Sequence, residues 1–294
     1  MLETPLPALD DEEGLSVPTE LPGVVDAHVH LFPDGLFSAL WRWFDEFGWP
    51  IRYRLKAQQV IDFQLSRGVE HIIGLHYAHK PGIARDLNRF AATLLHPRVH
   101  PVATVHPLDP DADEVLEEAF AMGLRGVKLH CHVQVFAPDD PQLEPIYAAC
   151  QRHDQVLVMH AGREPKSPAY AVDTHAICAV ERVEAVLRAF PRLRLCVPHL
   201  GADEFRGYAR LAERHETLWL DTTMVAADYF PGPPLAELLR VRPDRLIFGT
   251  DFPNIPYAWD RELKQIVGQK LPEAVLAGIL GENAKALWGL PEVH

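Results

Sequence analysis

The sequence predicts a closed (β/α)8 barrel in a single domain, and three observations predict it. Short β-branched runs recur eight times, each followed by a segment of helical periodicity. No glycine-rich phosphate loop follows the first run, as an open doubly wound sheet for nucleotides would require. Six of the eight runs end in His and the last ends in Asp, and in a barrel the reacting groups gather at the C-terminal strand ends.

In chain order the runs are "GVVDAHVH" to His30, "VEHIIGLH" to His76, "VHPVATVH" to His106, "GVKLH" to His130 and "QVLVMH" to His160. They continue with "LRLCVPH" to His199, "TLWLDT" to Thr222 and "RLIFGTD" to Asp251. Helical segments lie between them: "IARDLNRFAATLL", "DADEVLEEAFAMG", "LEPIYAACQRH", "AVERVEAVLRAF" and "EFRGYARLAERH". Residues 1–22, polar and proline-containing, form an N-terminal arm that packs outside the barrel or stays loose, and residues 23–294 form the barrel domain. The segment from Leu36 to Lys56, rich in Trp and Phe, is too long for a plain connection and is expected as an insertion over the barrel mouth. Such a segment suits a substrate lid, a subunit contact or a helix burying its aromatics.

Composition narrows the function. With 294 residues, 48% of them hydrophobic, the chain can bury one large core. A net charge of −13 argues against a nucleic-acid surface, which leans on Lys and Arg to neutralise phosphates. No apolar run reaches membrane-spanning length and the acidic start is no signal peptide, so a cytoplasmic protein without a membrane partner is expected. Cys131, Cys150, Cys178 and Cys196 are widely spaced, and read as core or site-lining thiols. A small-molecule substrate is the expected partner, with a homodimer possible through the aromatic segment.

Alternate residues of a strand face one side, so His28 and His30 project together, with Asp26 behind them. Such a pair is half of a metal site. Imidazole nitrogen and carboxylate oxygen are borderline-hard donors, and His28, His30, His160 and Asp251 could close around one ion, with His199 beside it. A bound ion lowers the pKa of its water toward about 7, and Asp251 could then take the proton while hydroxide attacks a polarised carbonyl.

"DAHVH", "GVKLH", "VLVMHAG", "CVPHLG" and "IFGTDFP" together resemble the metal-dependent amidohydrolase superfamily. The nearest branch is the amidohydrolase-2 group of TIM-barrel hydrolases, lactonases and non-oxidative decarboxylases, and the likeness runs from Val24 to the closing "ILGENAKALWGL". The resemblance implies His28, His30 and His160 as metal ligands, Asp251 as ligand or proton acceptor, and His199 as the group that polarises substrate or shuttles a proton. Zinc is the expected metal, with manganese, iron and nickel open. Lys128 resembles the lysine that binuclear members carry as a carbamate; carboxylated, it would place His160 and His199 on a second ion. One ion is expected ahead of two, with Lys128 left as an ammonium facing an anionic substrate.

Hydrolysis of a C–N or lactone bond is the leading expectation. Decarboxylation in the same superfamily and a non-catalytic metal-binding barrel are the alternatives. His76, His79 and His130 are candidate substrate neighbours, and Arg163 with Lys166 could hold a carboxylate. His106 is either a turn residue or a pocket wall, and His132 reads as a loop residue.

Overall fold

The computed structural model describes residues 10–164, 167–170, 172–229 and 234–293. Its strands are β1 (Val25–His30), β2 (His71–Leu75), β3 (Val99–Pro101), β4 (Ala103–Thr104), β5 (Val127–His130), β6 (Val156–His160), β7 (Arg194–Val197), β8 (Leu218–Asp221) and β9 (Leu246–Ile247). The helices that follow them include α1 (Asp34–Phe47), α2 (Ala57–Ser66), α3 (Ala84–Ala92), α4 (Ala112–Ala121), α5 (Cys131–Gln134), α6 (Glu144–Arg152), α7 (Thr174–Ile177), α8 (Val180–Ala189) and α9 (Phe205–Arg214). All eight runs read from the sequence contain a strand, and the third is divided into β3 and β4.

The chain divides into two compact units, one formed by Met1–Gly74 with Asp221–His294, the other by Leu75–Leu220. In the second unit β4 to β8 pair in parallel and in sequence order. One row of partners runs Ala103, Val127, Leu157, Leu195, Leu218, every member buried and apolar, as a sheet covered on both faces demands. The same register sets His130 opposite His160 at the strand ends.

In the first unit β1 is held from both sides. Glu70 N donates to Val24 O at 2.7 Å, while Ala27 N donates to Phe248 O at 3.0 Å and His30 N to Phe252 O at 2.8 Å. These bonds align the end of β1 with the segment after β9, and Asp251 N donates to His28 O at 2.9 Å.

The aromatic segment after β1 begins as helix α1, which buries Phe37 and Phe44. Phe32 meets Phe37 edge-on at 5.5 Å, and Trp49 closes on Phe44 at 4.9 Å while its indole N–H donates to Asn254 O. The described part of the N-terminal arm is pinned to the same unit: Asp11 pairs with Arg261 at 2.9 Å, Glu13 accepts from Tyr53, and Gly14 N donates to Asp260. No helix among the described residues is long and apolar enough to cross a membrane.

Candidate metal centre

The first unit assembles its donors on β1. His28 and His30 point the same way because two residues separate them, and both are at least nine-tenths buried. Their Nε2 atoms lie 3.4 and 2.8 Å from Oδ1 of Asp251. Asp251 reaches them from a backbone with φ +67°, in the left-handed region that non-glycine residues rarely adopt. One donor atom from each of His28, His30 and Asp251 lies within 4.8 Å of the others.

Three further residues fix that geometry. Asp221 Oδ2 is 2.8 Å from His28 Nδ1, and both side chains are about 1% exposed. A carboxylate only accepts, so Nδ1 carries the proton, and Nε2 is the nitrogen turned toward Asp251. Asp26 sits behind, accepting from Thr250 Oγ1 at 2.6 Å, Gln64 Nε2 at 2.8 Å and the His28 and Thr250 amides, each at 3.2 Å. Burial raises its carboxyl to about 7, against those hydrogen bonds. Gly249 allows the close approach of β1: a Cβ there would stand 2.8 Å from His28 Cβ and 2.5 Å from Thr223 Oγ1.

The second unit holds its own cluster. His130 and His160, register partners, stack with ring centroids 4.1 Å apart, and His132 meets His160 edge-on at 5.0 Å. His199 lies 4.7 Å from His160 by ring centroid. Glu164 Oε1 is 2.6 Å from His160 Nε2, and its Oε2 is 3.4 Å from His132 Nδ1. Burial pushes His160 down to about 4 and holds His130 well below the usual histidine range. Burial also opposes charge on His132, but hydrogen bonds to Cys178 and Glu164 raise it to about 10.

Two glycines bring these strand ends together. A Cβ on Gly162 would lie 2.5 Å from the Gly201 carbonyl, and one on Gly201, at φ +80°, would lie 2.0 Å from the Tyr208 ring. The "HAG" and "HLG" motifs are therefore packing requirements as well as markers of the two histidines.

The remaining candidates divide as follows. Lys128 is fully buried in β5, whereas His76 is buried just past β2 and His79 is exposed on the following loop. The Arg163 guanidinium is held by Cys178 O at 2.6 Å and by Glu204 at 3.7 Å. His106 caps a turn, its Nδ1 accepting from Leu108 N at 3.1 Å. Lys166 lies outside the described residues. The four cysteines are buried, and none of them forms a disulfide.

Of the six runs read as ending in His, three strands end there: β1 at His30, β5 at His130 and β6 at His160. Pro198 has no N–H to give, so β7 stops at Val197 and His199 follows in a tight turn at φ +56°. His132, read as a loop residue, is instead 1% exposed on α5. Glu164 and Asp221 were not singled out from the sequence. A carboxylate at the end of the seventh run was the available signal for Asp221.

The sequence model of the amidohydrolase family matches residues 25–290. The chain belongs to this family. No curated protein matches. Among solved structures, the chain is similar to a TIM-barrel protein from Bordetella bronchiseptica, with 20% identity and a TM-score of 0.70 over 91% of this chain and 99% of that one. It is similar to 2,6-dihydroxybenzoate decarboxylase from Rhizobium, with 20% identity and a TM-score of 0.67 over 92% and 99%. It is also similar to 5-carboxyvanillate decarboxylase from Novosphingobium aromaticivorans, solved with manganese, with 15% identity and a TM-score of 0.66 over 95% and 99%. These likenesses establish the α/β-barrel fold class that the alternating runs predict.

Proposed function

We propose that this amidohydrolase-family protein is a metal-dependent hydrolase acting on a C–N or lactone bond of a small molecule. The observation that carries the reading is the convergence of His28 Nε2 and His30 Nε2 on the Asp251 carboxylate, with His28 locked in one tautomer by Asp221. Two imidazoles and one carboxylate suit zinc, manganese, iron or nickel, and leave coordination positions open. A divalent ion bound there supplies Lewis acidity, polarising a carbonyl and making water more acidic.

The chain's own residues do the rest. His28, His30 and Asp251 would hold the ion, Asp221 orients the His28 ring, and Asp251 would also accept the proton lost by the attacking water. Burial strengthens that proton transfer by excluding bulk solvent.

Decarboxylation is the second reading, favoured because the two solved relatives named above with a stated activity are decarboxylases. Zinc- or manganese-loaded protein, incubated with lactones, esters, amides and aromatic carboxylates, distinguishes the two by ring opening or acid release against CO2 release. Under the hydrolytic reading Asp251→Asn lowers kcat by about 10²–10⁴, the range for loss of a general base, with a smaller loss of metal. His30→Ala loses both. Full turnover in Asp251→Asn removes the proposed base.

A further inference from the structure

Behind His28, Asp221 divides its two oxygens: Oδ2 lies 2.8 Å from His28 Nδ1, while Oδ1 accepts from the Thr223 amide at 3.2 Å. The orientation of that carboxylate therefore depends on the turn after β8. Within the turn Ala226 N donates to Thr222 O at 2.9 Å and Val225 N to Thr223 O at 2.7 Å, and Met224 stands at φ +60°, in the left-handed region. A non-glycine residue persists there only where its surroundings hold it. The group that holds it is Glu262, in the first turn of the helix Arg261–Gly268: Oε1 accepts from Met224 N at 2.7 Å and from the Tyr257 hydroxyl at 3.0 Å. Its neighbour Arg261 holds the far end of the same turn, donating from Nε to Ala227 O at 2.7 Å. An acidic residue in the first turn of a helix ordinarily faces solvent, where it favours the helix dipole. Glu262 is instead 1% exposed, and its Oε2 is buried with no hydrogen-bond partner among the described residues. Burial raises its carboxyl well above the ordinary value of 4.5, against its two hydrogen bonds, and nearby Asp26 and Asp221 add to the rise. An apolar side chain would fill the space without that desolvation cost, so the two bonds on Oε1 are what the carboxyl contributes.

We propose that Glu262 is a positioning residue for the candidate metal centre, fixing the turn at Met224 so that Asp221 holds His28 with its proton on Nδ1. It acts through Asp221 and touches neither ion nor substrate. Its effect on metal affinity rests on the reading that His28, His30 and Asp251 hold an ion, whereas the tautomer of His28 is a property of the metal-free chain. A neutral carboxyl offers one acceptor and one donor, as an amide does, so Glu262→Gln keeps the bonds to Met224 and Tyr257. Glu262→Met fills a similar volume but leaves the Met224 amide buried without its acceptor.

The test is imidazole nitrogen NMR of the chelator-stripped full chain, with the His28 signals identified by their loss in His28→Gln. Zinc titration and urea denaturation of the same samples follow. Wild type and Glu262→Gln are expected to show one His28 tautomer, protonated at Nδ1. Glu262→Met shows both tautomers and binds zinc about tenfold more weakly, the lower end of the range for lost support of a ligand. Should Glu262→Met fail to fold, Glu262→Asp, one methylene too short to reach Met224 N, takes its place with the same expectation. A folded variant that keeps the wild-type tautomer overturns the proposal, even if its urea midpoint falls, because a merely structural role moves stability alone. Loss of the tautomer in Glu262→Gln overturns it too. Wild type that shows the single tautomer but takes up no zinc contradicts the metal reading, and the tautomer comparison still decides the role of Glu262.

Discussion

Replacing Asp221 by Asn changes one atom's hydrogen-bonding role and leaves the shape of the site intact. In the wild type, Asp221 Oδ2 stands 2.8 Å from His28 Nδ1, with both side chains about 1% exposed, so water cannot substitute for either partner. The carboxylate accepts only, which forces the proton onto Nδ1 and leaves Nε2 as the donor atom 3.4 Å from Asp251. An amide can turn its NH2 toward Nδ1 and favour the other tautomer, with the proton on the ligating nitrogen. Losing such a partner weakens metal binding about 10- to 100-fold, equivalent to about 1.4–2.7 kcal/mol. The assay is a zinc titration of chelator-stripped protein against a chromogenic chelator, with a thermal melt to confirm folding. Affinity within about threefold of wild type in folded Asp221→Asn refutes the orienting role.

Gly249→Ala places a Cβ 2.5 Å from Thr223 Oγ1 and 2.8 Å from His28 Cβ, so overpacking destabilises by about 1–3 kcal/mol and also weakens zinc; urea denaturation matching wild type contradicts this. Gly162→Ala meets the Gly201 carbonyl at 2.5 Å, where backbone cannot yield easily, and the same measurement is expected to show a loss of about 1–3 kcal/mol or more. Lys285 lies 3.0 Å from Glu70, 3.1 Å from Glu292 and 3.3 Å from Glu282. Burial works against its charge, yet those three bonds hold the ammonium above its ordinary value of 10.5. A raised folded value means the stabilisation is complete below 10.5 and fades as pH climbs through the folded value. The gap in Tm between wild type and Lys285→Met is therefore full at about pH 8 and narrower above the ordinary lysine value of 10.5, whereas a gap independent of pH rules out the ion cluster as its source.

The parts of this site that the sequence makes legible are those that follow strand periodicity. His28 and His30 are adjacent on one face because strands repeat every two residues, and Asp251 announces itself as the end of the last apolar run. His132 follows the same spacing from His130 but is not on a strand. Because β5 ends at His130 and α5 turns immediately, His132 returns to contact His160 instead of continuing outward. Glu164 comes four residues after His160, through a loop whose path depends on the Gly162 and Gly201 contact, a long-range packing fact with no local signature. His199 is similar: Pro198 is visible in the letters, but the left-handed turn that aims the ring is not. Arg163 looks like a free cation in sequence, and only the fold supplies the Cys178 carbonyl and Glu204 that engage it.

If the chain acts as proposed, hydrolysis depends on a divalent ion held by His28, His30 and Asp251. The most direct measurement is the rate of lactone, ester or amide hydrolysis by chelator-stripped protein as zinc or manganese is returned, run alongside His30→Ala. Activity is expected to be absent without metal, to rise with the ion bound, and to stay absent in His30→Ala. Full hydrolysis by metal-free protein contradicts it, as does metal-restored turnover that releases CO2 and hydrolyses nothing.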